Sequence, residues 1–220
     1  RGVPVGQVYG TTETGPVSIV LRLPDAIARV GASGWPQPDA QVKLIDPQGR
    51  EVGPGETGEV CLCAANLMRG YWSAQGQVGL GLQDGWFHSG DLGQRAEDGC
   101  ITIVGRSKDM VISGGENIYP AEIENLLVTL PGVAECAVLG LPDVRWGEVP
   151  VAVLVRSADA AGQSLTPEAV MQHLQSRIAR FKLPRRVVFM DGLPKSALGK
   201  VQKPVLQKQL ASMQLQAVRV

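Results

Sequence analysis

Hydrophobic and polar residues alternate in three short runs of the first half: Gln41-Val42-Lys43-Leu44-Ile45-Asp46, Gly58-Glu59-Val60-Cys61-Leu62-Cys63 and Cys100-Ile101-Thr102-Ile103-Val104. Successive side chains of a strand point to opposite faces, so these runs predict half-buried strands. Pro47-Gln48-Gly49 and Pro54-Gly55-Glu56 supply turns between two of them. The texture changes after Ile112. Ile123, Leu126, Leu127 and Leu130 recur at helical spacing behind Pro120, whose missing N–H costs nothing in a first turn. Val149, Val151, Val153 and Val155 alternate as a strand. Thr166 is placed to cap a helix with Pro167 and Glu168 in its first turn and Met171, Leu174 and Ile178 inward. Arg186 to Phe189 predicts another short strand and Pro194 to Gly199 a polar loop, and a last helix from about Pro204 carries Val205, Leu206 and Leu210 on one side. The expected fold class is α+β: a β-rich, barrel-like region over residues 1–108, then a small α+β domain over residues 109–220.

A chain of 220 residues can bury a core, and 44% hydrophobic against 19% charged residues excludes disorder as the main state. Lys plus Arg and Asp plus Glu both number 21, so no global field recruits nucleic acid or an anionic membrane. An anionic ligand must be met by local groups. No apolar run reaches the roughly 18 residues of a membrane span. Cys61, Cys63, Cys100 and Cys136 lack C-x-x-C spacing and read as reduced thiols of a cytoplasmic protein. The only histidines, His88 and His173, have no metal-like neighbours in sequence and read as packing residues. The chain opens on Arg1, and Val3 to Thr14 already read as the interior of a fold, so it is expected to be a fragment whose targeting signals lie outside it.

Four segments could carry chemistry. Tyr9-Gly10-Thr11-Thr12-Glu13-Thr14-Gly15 joins an aromatic ring, a close-approach glycine, hydroxyls and a carboxylate. That set can stack a base, bond phosphate and ligate Mg²⁺, and it can equally make an ordinary turn. Trp86-Phe87-His88-Ser89-Gly90-Asp91 reads as an aromatic turn whose carboxylate either accepts from a ribose diol or bonds its own backbone. Gly105 to Glu124 is the densest stretch, with Gly105 and Gly114-Gly115 flanking a charged turn, as a pivoting segment requires. Leu193-Pro194-Lys195-Ser196-Ala197-Leu198-Gly199-Lys200 puts two lysines on a flexible loop, either as solvated charges or as a mobile cation for a reacting phosphate.

In order and spelling these segments resemble the acyl- and aryl-CoA synthetase branch of the adenylate-forming (AMP-binding) enzyme superfamily, across essentially the whole chain. The resemblance implies that Tyr9 and Gly10 line the adenine site, that Thr12 meets phosphate and that Glu13 holds Mg²⁺. Phe87 to Asp91 fall on the aromatic-x-(Thr/Ser)-Gly-Asp motif, which assigns Asp91 to the ribose hydroxyls; Arg106 falls on an arginine that also reaches the nucleotide. Asp109 matches the hinge of the small domain, Gly114 and Gly115 the loop lining the pantetheine tunnel, and Lys200 the lysine that polarises the α-phosphate and carboxylate. Gly58-Glu59 and Gly70-Tyr71-Trp72 match family spelling and read as structural. The family's phosphate loop, upstream of the tyrosine motif, does not occur here, which implies the C-terminal portion of an enzyme, inactive on its own.

The implied cofactors are ATP, Mg²⁺ and coenzyme A, and the implied reaction makes an acyl adenylate and then an acyl-CoA thioester. Thr14-Gly15-Pro16-Val17 resembles the 4-coumarate-like and fatty-acid ligases, pointing to a fatty or aryl monoacid such as a hydroxycinnamate. Two alternatives stay open: an adenylation domain that loads a carrier protein, and a non-catalytic module that binds nucleotide or a partner. A homodimer is also open.

Overall fold

The computed structural model describes residues 5–213 apart from 16, 75, 77 and 80, with the backbone alone at 78 and 79. Val3 and Pro4, in the segment read as fold interior, and Pro16, in the Thr14–Val17 motif, lie outside the described residues. Two compact units, Arg1–Lys108 and Asp109–Val220, make up the chain.

The first unit is built from short antiparallel strands: β1 (Gln7–Tyr9), β2 (Ile19–Leu21), β3 (Trp35–Pro36), β4 (Ala40–Ile45), β5 (Thr57–Ala64), β6 (Tyr71–Trp72), β7 (Val78–Gly79), β8 (Leu82–Gln83), β9 (Trp86–Arg95) and β10 (Ile101–Arg106), with one helical turn, α1 (Leu23–Ala26). The main sheet runs β10-β9-β5-β4, with β8 on β9, and β1-β2-β3 form a second sheet. Leu44, Val60 and Leu62 of the alternating runs make a core with Phe87, against which Tyr9, Val42 and Ile103 pack, and Cys61 is buried on the opposite face of β5. Both predicted turns are present, and Gly49 closes the first by donating to the Asp46 carbonyl.

The aromatic segment expected as a turn is instead part of the ten-residue strand β9. Pairing of β5 with β9 skips from Cys61↔His88 to Glu59↔Leu92, so Ser89, Gly90 and Asp91 together stand opposite Val60. Gly90 takes φ +69°, a value that favours glycine, and this irregularity re-aims the strand without ending it.

The second unit holds β11 (Val111–Ser113), β12 (Glu116–Ile118), β13 (Val133–Asp143), β14 (Gly147–Arg156) and β15 (Arg186–Phe189), with α2 (Pro120–Leu127), α3 (Ala160–Gln163), α4 (Pro167–Gln175) and α5 (Lys203–Ser212). Its sheet runs β12-β11-β14-β13, with β15 parallel to β14. One face carries Val138, Ala152 and Leu154 and is covered by Ile123 and Leu127 of α2 and Val170 and Leu174 of α4. The other carries Ala137, Leu139, Val151 and Val153 under Leu206 and Leu210 of α5. The Thr166 hydroxyl caps α4 by accepting from the Ala169 N–H. Val205, expected beside Leu206, is 39% exposed on the outer side of α5. Among the described residues no helix is long and apolar enough to cross a membrane.

Candidate functional site

Three strands converge on one buried carboxylate. Asp91, only 4% exposed, accepts at Oδ2 from the Tyr9 hydroxyl (2.7 Å) and pairs at Oδ1 with Arg106 Nε (2.8 Å). Arg106 stands directly opposite Asp91 in the β9–β10 ladder, so the ion pair is a cross-strand pair set by register. Asp91's own N–H donates to Ser89 Oγ (3.0 Å), whose hydroxyl donates to the Val60 carbonyl (2.6 Å). Burial, chiefly, pushes the Tyr9 phenol well above its ordinary value; the bond to Asp91 adds to this, while one from Ser89 opposes it. The raised Tyr9 phenol keeps its proton at neutral pH. The cluster is a buried acceptor held on both oxygens, beside a half-exposed cation.

After β1, Gly10 and Thr11 lead into a 3₁₀ turn, Thr12–Thr14. Thr14, buried, accepts from the Thr11 N–H and the Ser18 hydroxyl (both 3.0 Å) and fixes this turn, while Thr12 points into solvent. Glu13 Oε1 accepts from the Tyr71 hydroxyl (3.0 Å), and its carbonyl accepts from the Met68 N–H (2.7 Å). Hydrogen bonding to its own backbone N–H, helped by the Thr11 and Tyr71 hydroxyls, holds the Glu13 carboxyl below the usual glutamate value. Glu13 is therefore an ionised, partly exposed hard-oxygen donor, which fits a magnesium ligand. Tyr71, read as structural, touches this carboxylate; the sequence separation of 58 residues left no local signal for it.

His88 does have chemistry-bearing neighbours, contrary to the reading from sequence. The β5–β9 ladder sets it beside Cys61, with Nδ1 3.6 Å from Sγ and 3.1 Å from Glu59 Oε2. Glu59 Oε1 accepts from the Gly90 N–H (3.0 Å). Burial first, then the Glu59 charge, pushes the Cys61 thiol up to about 11.

In the second unit Asp109 closes the 3₁₀ turn Ser107–Asp109, and Gly114 and Gly115 link β11 to β12. Both glycines have positive φ (+60° and +89°). A Cβ on Gly114 would come within 2.7 Å of the Trp146 ring, whereas Gly115 faces open space. Pro194 to Gln202 form a tight hairpin closed by Ser196 N–H to Lys200 O (2.8 Å) and Gln202 N–H to Pro194 O (2.8 Å). The hairpin separates its two lysines: Lys195 is tied to Glu135 (2.6 Å), while the exposed Lys200 ammonium has no ion-pair partner among the described residues.

Residues 1–72 match the AMP-binding enzyme family and residues 122–200 the AMP-binding enzyme C-terminal domain. Indoleacetate–CoA ligase of Aromatoleum aromaticum is 46% identical over 211 residues, 96% of this chain and 41% of that protein. Fatty acid–[acyl-carrier-protein] ligase ScoC of Streptomyces coeruleorubidus is 44% identical over 199 residues, 89% of this chain and 38% of that protein. O-succinylbenzoate coenzyme A synthetase of Bacillus subtilis, solved in complex with ATP and magnesium ion, matches with a TM-score of 0.83 and 33% identity over 96% of this chain and 42% of that one. The chain thus spans about two fifths of the length of the curated relatives it matches.

Proposed function

The chain belongs to the adenylate-forming, AMP-binding enzyme superfamily, and from that premise we propose that it is the C-terminal portion of an ATP-dependent carboxylic acid–CoA ligase. The observation that carries this reading is the Asp91 constellation: a carboxylate 4% exposed, held by Tyr9 and Arg106 from two other strands. Each oxygen of that carboxylate keeps a lone pair beyond its bond to Tyr9 or Arg106, which supports the reading that it takes the ribose hydroxyls, and Arg106, partly exposed, remains able to reach the nucleotide as well.

The chemistry runs in two steps. The acid carboxylate attacks the α-phosphate of ATP, giving the acyl adenylate and pyrophosphate. The CoA thiol then attacks the acyl carbon and AMP leaves. Tyr9, Gly10 and Asp91 place the nucleoside, and the Thr12 hydroxyl, free in solvent, is available to phosphate. Glu13 supplies a ligand for magnesium, which offsets charge on the phosphate oxygens when bound. Lys200, with no ion-pair partner among the described residues, supplies a cation for charge developing at the α-phosphate in the first step. Gly115, with open space where a side chain would stand, leaves backbone bare for the pantetheine arm in the second, next to Gly114, with Asp109 as the hinge.

Indoleacetate and o-succinylbenzoate, named for two relatives, both carry an aromatic ring and favour an aryl acid here. One observation favours a second reading: the likeness to ScoC supports transfer of the acyl group to a carrier protein. Pyrophosphate release by the full-length protein with a panel of aryl and fatty acids, followed by comparison of CoA and a phosphopantetheinylated carrier as acceptors, tests both. Thioester on CoA is expected, and transfer to the carrier alone would overturn the ligase reading.

A further inference from the structure

Asp91 does not hold its own position; the three residues before it are braced from the neighbouring strand. Ser89, Gly90 and Asp91 bulge opposite Val60, so the ladder leaves their backbone short of regular partners. One side chain fills that gap. Glu59 Oε1 accepts from the Gly90 N–H (3.0 Å) and its Oε2 meets His88 Nδ1 (3.1 Å), so a single carboxylate holds the bulge at Gly90 and its flank at His88. Ser89 Oγ bridges the Val60 carbonyl and the Asp91 N–H, completing the frame. Gly90, at φ +69°, has no side chain with which to fix itself.

We propose that Glu59, acting through His88 and the Gly90 N–H, is a positioning residue that sets the Asp91 carboxylate for the ribose hydroxyls. This rests on the reading that Asp91 binds ribose. One oxygen of Glu59 is engaged by the bulge at Gly90 and the other by His88, the residue just before it, which distinguishes a brace from a surface carboxylate. Removing it leaves Tyr9 and Arg106 still attached to Asp91 but frees the backbone that delivers the carboxylate. A loss of placement shows as weaker use of the ribose hydroxyls, whereas a loss of folded protein shows as fewer active molecules with unchanged preference.

The test uses the full-length protein carrying this chain, with pyrophosphate release measured on ATP and on 3′-deoxy-ATP. Asp91→Asn is expected to erase the preference for ATP; if the preference survives, the ribose reading fails and the proposal with it. Glu59→Ala is expected to raise the KM for ATP about tenfold and shrink the preference, with kcat at saturation little changed. Glu59→Gln keeps a carbonyl oxygen for the Gly90 N–H and is expected to recover most of the loss. If Asp91→Asn erases the preference while Glu59→Ala lowers only kcat, Glu59 is merely structural and the proposal falls alone. Should Glu59→Ala not fold, His88→Gln is read the same way, with a smaller loss expected and an unchanged preference overturning the brace. Stoichiometric zinc in the dialysed protein would mark Glu59, Cys61 and His88 as a metal centre and overturn the proposal as well.

Discussion

Tyr9→Phe removes one oxygen and no packing volume, so it isolates the bond to Asp91. The acceptor is a carboxylate 4% exposed, and water cannot readily replace the lost donor. A hydrogen bond to a charged group contributes about 1.5–3 kcal/mol. Arg106 still serves the other oxygen at 2.8 Å, which places the expected loss in the lower part of that range, about 1.5–2 kcal/mol. For a domain of roughly 100 residues this corresponds to a fall in Tm of roughly 6–12 °C. The substitution should also change the alkaline limb. Folding raises the Tyr9 pKa above its unfolded value of 10.0, so the folded state keeps the proton longer and stability falls as pH rises from about 10 upward. Phenylalanine has no proton to lose, so the variant's stability should fall less steeply there; Tyr71, also raised through burial, leaves a residual slope. Hydrogen exchange at the amides of β9 and β10 in the isolated chain follows this unit separately from the second. A loss under about 0.5 kcal/mol, or an unchanged alkaline slope, would refute the view of Tyr9 as a donor into a dry carboxylate.

Lys200→Ala in the full-length protein should slow acyl-adenylate formation about a hundred- to thousandfold while sparing thioester formation from supplied acyl adenylate and CoA; equal loss of both half-reactions, measured by pyrophosphate release and thioester yield, counts against a cation specific to the first step. Glu13→Gln should raise the Mg²⁺ concentration needed for half-maximal pyrophosphate release, and an unchanged requirement would return Glu13 to the role of a turn residue. Cys61 and Cys136 are raised by burial from 9.0 to about 11 and about 12, so both should resist a thiol reagent at pH 8 until urea unfolds their units; these folded pKa values also predict stability declining as pH rises from about 9. Gly114→Ala should destabilise the second unit, because a Cβ there meets the Trp146 ring at 2.7 Å on backbone of positive φ; thermal unfolding checks this.

Local pattern was enough to mark strands in which apolar and polar residues alternate in the sequence, as in β4, β5 and β10, and to mark helices with a proline or threonine at the start, as in α2 and α4. It failed at β13, the longest strand, because Ala137, Val138 and Leu139 are all buried: helices cover both faces, so no polar side is left to alternate with. The motif residues were likewise visible as spelling, and the two lysines of the terminal loop as charge. Only tertiary structure decided which of those lysines is free, because Glu135, the partner of Lys195, lies 60 residues away. The site follows the same division. Tyr9, Asp91 and Arg106 each stand in the sequence with an ordinary local explanation, while Arg106 meets Asp91 through strand register and Tyr9 reaches it from a separate sheet. Register is a property of paired strands, so Glu59 and Cys61 beside His88 had no local signature from which to be read, and Tyr71 reaches Glu13 by a side-chain contact across 58 residues of sequence.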